Sequence, residues 1–172
     1  LARAKRHPYV MRYRTGASAS GEILAHDIAL LSDSGAYAYL SALVLLYSTV
    51  TAAGPYRVSN VRVDARVAYT NNPPTSAMRG FGAMQMVFAY ESQMDRVARA
   101  IGLDPVRVRQ LNALRRGDTL PVGQVMETHV ALPELAARAW AGLGERPVPR
   151  AAHVRVGRGL ACNFQPYGRI VW

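Results

Sequence analysis

Over the first 70 residues hydrophobic and polar positions alternate in short runs, and after that they recur with a helical period. Residues 9–15 and 22–32 predict two strands, joined by the small-residue turn at 16–21. The second strand alternates only loosely, with Ile23, Ala25, Ile28 and Leu30 as its buried face. Gly35 breaks the chain before a helical stretch at 40–53, which Pro55 ends because proline disfavours helix at the residue before it. Residues 61–70 predict a third strand, with Val61, Val63, Ala65 and Val67 on one face and Arg62, Asp64 and Arg66 on the other. A turn by composition follows at 71–76. Val87, Tyr90, Met94, Val97 and Ile101 then form the apolar stripe of a long helix that Gly102 terminates. Glu91 and Asp95 are expected on its solvated face, with Arg96 and Arg99 late, where the helix dipole favours cations. Asp104-Pro105 predicts an N-cap with proline at the first helical position, opening a short helix to about residue 114. A further helix is expected at 133–141, a surface connection at 142–150 and a last strand at 155–164. This order predicts an α+β fold, a mixed sheet with a few packed helices.

Between the third strand and the long helix lies the stretch with the most chemistry, residues 70–85 (TNNPPTSAMRGFGAMQ). A proline-stiffened turn feeds Arg79-Gly80-Phe81-Gly82, which opens directly into the helix. Glycines around one aromatic, just before a helix N-terminus, let backbone N–H groups approach a ligand closely. Arg79 adds a charged fork. By itself, a Gly-x-Gly before a helix is as often only a tight turn.

Composition narrows the classes. Half of the 172 residues are hydrophobic and 19% are charged, enough for a real core. The net charge of +10 invites a nucleic-acid reading, but Lys5 is the single lysine among 21 basic residues and the arginines are spread along the chain. That pattern points to coding bias or acidic partner surfaces rather than to a groove binder. No short apolar core with a cleavage site follows the basic N-terminus, so a cytoplasmic location is expected. Residues 34–56 carry no charge, yet Ser41, Ser48, Thr49, Thr51, Gly54 and three tyrosines dilute them. They read as a buried helix or half-buried active-site segment, not a membrane span.

Several chemistries lack their residues. Cys162 is the only cysteine, which excludes an internal disulfide and an iron–sulfur cluster held by these residues alone. In its Leu-Ala-Cys-Asn-Phe run it reads as a small buried hydrophobe. His7, His26, His129 and His153 lack paired ligand spacing, so surface or core histidines are expected and no direct metal ligand. There is no nucleophile elbow, Walker loop or full dinucleotide fingerprint.

Residues 6–17 (RHPYVMRYRTGA), 33–37 (DSGAY), 54–62 (GPYRVSNVR) and 69–85 occur in one order, followed by 102–112 (GLDPVRVRQLN) and 117–119 (GDT). In these blocks the chain resembles the molybdenum-cofactor-binding large subunit of the xanthine dehydrogenase/aldehyde oxidase family, and the likeness covers nearly its whole length. The resemblance implies part of a larger molybdopterin-binding architecture, with residues 1–145 in the cofactor-binding domain and 146–172 opening a further segment. It implies that Met78, Arg79 and Gly80 lie beside the molybdenum centre, while Phe81 lines the channel of a small planar substrate. The chemistry implied is hydroxylation of aldehydes or N-heterocycles with oxygen from water, the metal taking two electrons.

Departures sharpen this. Tyr47 stands where purine-oxidising members carry an arginine, as in aldehyde-oxidising relatives, so Tyr47 is a second substrate-binding candidate and xanthine specificity is not implied. Without a cysteine in the loop, a copper-containing carbon monoxide dehydrogenase is not implied either. The family's earlier pterin-contacting Gly-Phe-Gly-Gly segment and the late segment with the catalytic glutamate are missing. The chain is therefore expected to be a piece, with no catalytic residue of its own and inactive alone. The 2Fe-2S and FAD modules are expected on partner domains or subunits, and the pterin's nucleotide, including a cytosine dinucleotide form, stays open. The alternative is a non-catalytic scaffold that keeps the fold without cofactor.

Overall fold

The structure is a computed structural model that describes residues 4–145, 147–149, 151–163 and 165. Three strands and four helices make up the fold: β1 (Tyr9–Ala17), β2 (Ile23–Gly35), α1 (Ser41–Thr51), β3 (Asn60–Tyr69), α2 (Ala83–Ile101), α3 (Pro105–Asn112) and α4 (Leu132–Gly142). The sheet order is β1-β2-β3, with β1 antiparallel and β3 parallel to the central β2. A mixed sheet in an α+β arrangement is what the sequence predicts.

The strand β2 alternates loosely for a local reason. Gly16 faces Ala25 while Ala17 faces Ile23, so the register shifts by one residue at Leu24. Such an irregularity reverses which side chains face inward. His26, Ile28, Leu30, Ser32 and Ser34 are therefore buried, and Ala25, expected inside, is only half-buried. Ile28 and Leu30 meet Met86, Tyr90, Met94 and Val97 of α2 in one core, with Tyr9, Met11 and Tyr13 of β1 packed against it. On β3, Val61, Val63 and Ala65 pack on that core, whereas Val67 is exposed.

The buried stripe of α1 is Ser41, Val44, Ser48 and Thr51. Its hydroxyls are paired: Tyr9 Oη shares a hydrogen bond with Ser48 Oγ at 2.8 Å, and Thr51 Oγ1 donates to Tyr47 O at 2.8 Å. Among the described residues no helix is long and apolar enough to cross a membrane. Gly102 ends α2 in the left-handed conformation, and Asp104 caps α3 by accepting from the backbone N–H groups of Val106 and Arg107. Residues 155–163 do not form the expected strand, and Phe164 lies outside the described residues. Among the described residues they join no sheet, and Arg158 stacks on Trp140 with its guanidinium carbon 4.4 Å from the ring centroid.

His26 sits under this sheet, 3% exposed, with Nδ1 sharing a 2.9 Å hydrogen bond with Thr15 Oγ1. Burial pushes its imidazole down from 6.5 to about 4. Between those values the unfolded chain takes up a proton that the folded chain refuses, so stability falls as the pH drops through that window. His7 is lowered as well, by burial, with the Asp33 carboxylate opposing. Replacing His26 with Gln is expected to shrink the stability difference between pH 7 and pH 5 by roughly 2 kcal/mol. Urea unfolding at the two pH values checks this.

Candidate functional site

The Asn-Asn-Pro-Pro lead-in is held by the end of β2. The Asp33 carboxylate accepts from Thr70 Oγ1 and Gly35 N at 2.7 Å each and from Asn72 Nδ2. These donors, Thr70 first and then Asn72 and Gly35, hold its carboxyl below the usual carboxylate range. Thr75 Oγ1 donates to Asp33 O at 2.7 Å. Gly35 has φ +67°, and a Cβ there would lie 2.4 Å from Pro73 O, so the turn rests directly on a bare backbone. The 33–37 and 69–85 blocks of the sequence thus meet.

A third block closes over them. Lys5 N donates to Pro74 O at 3.3 Å, and Ser76 N donates to Lys5 O at 3.0 Å. Arg6 Nη2 donates to Arg79 O at 2.8 Å, Gln85 Nε2 donates to His7 O at 3.1 Å, and buried His7 Nε2 pairs with Ser41 Oγ at 2.7 Å. The N-terminal segment therefore fastens the lead-in, the glycine-rich loop and the starts of α1 and α2 to one another.

The loop itself is two successive turns. Phe81 N donates to Met78 O and Ala83 N to Gly80 O, both at 2.8 Å. Gly80, Phe81 and Gly82 have φ of +90°, +47° and +97°. The first turn, with glycine at its third position and positive φ, is of type II, and the second has the two positive φ values of type I′. Phe81 holds a left-handed conformation rare for an aromatic residue, the kind of local strain that clusters at functional sites. Among the described residues the N–H groups of Met78, Arg79 and Gly80 meet no protein acceptor. The Met78 and Arg79 side chains are exposed, and Gly80 and Phe81 are half-buried. The Phe81 ring meets Tyr47 of α1 edge-to-face, centroids 5.2 Å apart and planes at 80°. All five residues singled out from the sequence are thus on or against one loop: Met78, Arg79, Gly80 and Phe81 within it, and Tyr47 beside it.

Behind the site is a group that the sequence reading placed wrongly. Glu91, expected on a solvated face, is 5% exposed. Tyr56 Oη donates to Glu91 Oε1, and Arg109 Nε donates to Oε2 at 2.8 Å. Arg109 also reaches Asp95 Oδ1 at 2.8 Å and Pro105 O at 3.1 Å. Burial alone would lower the Arg109 guanidinium, but the Glu91 carboxylate holds it above its ordinary value, while burial and the same carboxylate push the Tyr56 phenol up. Helical periodicity alone cannot reveal this pair, since the partner charge comes from α3. The available signal was Arg109, the second arginine of the GLDPVRVRQLN block, which α3 turns inward. Cys162 is buried, as expected, and burial raises its thiol. Two of the histidines, His7 and His26, are buried, and among the described residues no three His, Cys, Asp or Glu side chains cluster as a metal site.

The glycine-rich loop thus lies at a helix N-terminus, with N–H groups that meet no protein acceptor among the described residues and an aromatic pair beside it. The chain belongs to the molybdopterin cofactor-binding domain family, which it matches over residues 1–113. It is 45% identical over 136 residues to the nicotinate dehydrogenase large molybdopterin subunit of Eubacterium barkeri, covering 79% of this chain and 32% of that protein. It is 38% identical over 167 residues to one subunit of a probable xanthine dehydrogenase from Bacillus subtilis (strain 168), covering 95% of this chain and 22% of that one. The crystal structure of the aldehyde oxidoreductase from Desulfovibrio desulfuricans superposes with a TM-score of 0.77 at 33% identity, covering 81% of this chain and 15% of that one. The chain spans a third or less of the length of these relatives.

Proposed function

We propose that residues 77–82 form one wall of the molybdenum-cofactor and substrate site in an oxidoreductase of the xanthine dehydrogenase/aldehyde oxidase kind. The observation that carries this is the meeting, at one loop, of backbone N–H groups without a protein acceptor and the Tyr47–Phe81 aromatic pair. The loop suits such a group. Its unpaired donors and the start of α2 favour anionic oxygen or sulfur ligands. A Cβ on Gly80 would lie 2.3 Å from Met84 Cγ, so the first turn is folded down close against α2.

Met78, Arg79 and Gly80 offer backbone contacts to the cofactor. Phe81 and Tyr47 present ring faces and edges that orient a small planar substrate, an aldehyde or an N-heterocycle. The bound molybdopterin, with or without a cytosine nucleotide, supplies the two-electron oxidation, and water supplies the oxygen. In this reading a base from another part of the assembly takes the proton, and 2Fe-2S and FAD modules on partner domains or subunits carry electrons away. Residues 1–145 belong to the cofactor-binding domain and 146–172 to a further segment. A cytoplasmic location belongs to the same proposal.

The test uses the complete cofactor-loaded assembly. Phe81→Ala is expected to lower kcat/KM about tenfold or more, the scale of one lost aromatic contact plus its packing. Molybdenum content should stay at the wild-type level. Tyr47→Phe, which keeps the ring, is expected to stay within about threefold, whereas Tyr47→Ala should resemble Phe81→Ala. Unchanged kcat/KM in both alanine variants would reject the substrate-side assignment. An assembly that never carries molybdenum would reject the cofactor reading altogether.

A further inference from the structure

The Arg6 side chain has an unusual set of partners. No acidic group among the described residues pairs with it, and its side-chain hydrogen bond goes from Nη2 to Arg79 O at 2.8 Å. Its Nη1 is buried with no hydrogen-bond partner. What the contact does is orient one peptide.

The peptide between Arg79 and Gly80 is the central unit of the turn that Met78 O and Phe81 N close at 2.8 Å. It is trans, so its carbonyl and its N–H point in opposite directions. With the Arg79 carbonyl drawn onto Arg6, the Gly80 N–H points to the other side, where no protein acceptor among the described residues meets it. A half-rotation of this one unit turns a type II turn into a type I turn and takes the φ of the third residue from positive to negative. Gly80 accepts either sign at little steric cost. The flanking hydrogen bond from Phe81 N survives both forms and does not choose between them.

We propose that Arg6 is a positioning residue that locks this turn in its type II form and thereby aims the Gly80 N–H at the cofactor side of the loop. The proposal rests on the reading of residues 77–82 as a cofactor wall. Arg6 touches neither cofactor nor substrate in it. Its guanidinium selects the peptide orientation, and the peptide makes the contact. A preorganised N–H aimed where charge develops assists chemistry because it need not reorient during the reaction.

The experiment compares wild type, Arg6→Met and Arg6→Lys in the complete molybdopterin-binding protein with its partners. It reads molybdenum content, kcat and KM, and hydrogen exchange at the Gly80 amide. In the wild type, loading the cofactor is expected to slow Gly80 exchange. At equal molybdenum content, Arg6→Met should exchange at least about tenfold faster there and lose about 100-fold in kcat, the loss typical of one preorganised donor, with KM nearly unchanged. Arg6→Lys, which keeps one charged donor, should recover part of both. Wild-type exchange and kcat in a fully loaded Arg6→Met protein would overturn the proposal. Where Arg6→Met does not load, its crystal structure decides: an Arg79 carbonyl rotated away supports the lock, and an unmoved one overturns it. Equal Gly80 exchange in loaded and cofactor-free wild type would sink the cofactor-wall reading instead, while the variant's structure still reads the peptide orientation.

Discussion

Arg109→Met is expected to cost about 3–5 kcal/mol of unfolding free energy, the usual result of stranding a buried charge. Arg109 is 1% exposed, and the Glu91 side chain is 7% exposed. The guanidinium satisfies Glu91 Oε2, Glu91 O, Pro105 O and Asp95 at once. Removing it leaves a carboxylate in the core with only the Tyr56 hydroxyl on it. The size of the loss reflects that stranded carboxylate more than the net worth of the pair. Arg109→Met combined with Glu91→Leu should therefore recover more than half of the loss, because matched apolar groups can replace a buried pair at little cost. Urea unfolding of the two variants and of Glu91→Leu alone closes the cycle. Strict additivity would mean that Arg109 acts by packing and not through the carboxylate.

Gly82→Ala is the second large effect, expected at about 3 kcal/mol from backbone strain and overpacking together. Gly82 has φ +97°, and an added Cβ would lie 2.3 Å from Ser48 Oγ and 2.6 Å from Val44 O. One contact is a short side chain, but the other is helix backbone, which cannot step aside. Ser48→Ala should therefore rescue only part of the loss. Since α2 would be pushed off α1, the loop would move with it, and the loaded assembly should also lose molybdenum. Melting temperatures of the single and double variants, with metal analysis, check both. Full rescue by Ser48→Ala would show that the Val44 backbone contact is not limiting.

Much of this arrangement could be read before any coordinates. Strand and helix periodicity located β3 and α2, and Asp104-Pro105 marked the start of α3 because a cap and a proline act locally. The loop stood out since glycine spacing is a local constraint as well. Non-local features were harder. The loose alternation of β2 hints at an irregularity but cannot place the register shift at Leu24, because a bulge is defined by the partner strand. The burial of Glu91 depends on Tyr56 and Arg109, distant in sequence. The expected strand at 155–164 was read from local propensity alone, and residues 155–163 join no sheet among the described residues, since a strand needs a partner that propensity does not supply. Arg6 stands out in the sequence only as the first residue of a block, and its grip on Arg79 O could not be inferred from spacing.

The parallel pairing of β2 with β3 has a consequence for the order in which the molecule assembles. Ala25 pairs with Asn60 and Ser32 with Val67, so closing this half of the sheet loops out a stretch that contains α1 and its flanking turns. Long closures of this kind are slow steps, because chain entropy is lost before contacts repay it. The contacts that finish the loop are more distant still: Arg6 to Arg79 and His7 to Gln85. On that ground the N-terminal strap is expected to reach the glycine-rich turn late in folding. The orientation of the Arg79–Gly80 peptide is thus set by a contact 73 positions away in the chain, and so by the closed fold rather than by the turn's own residues.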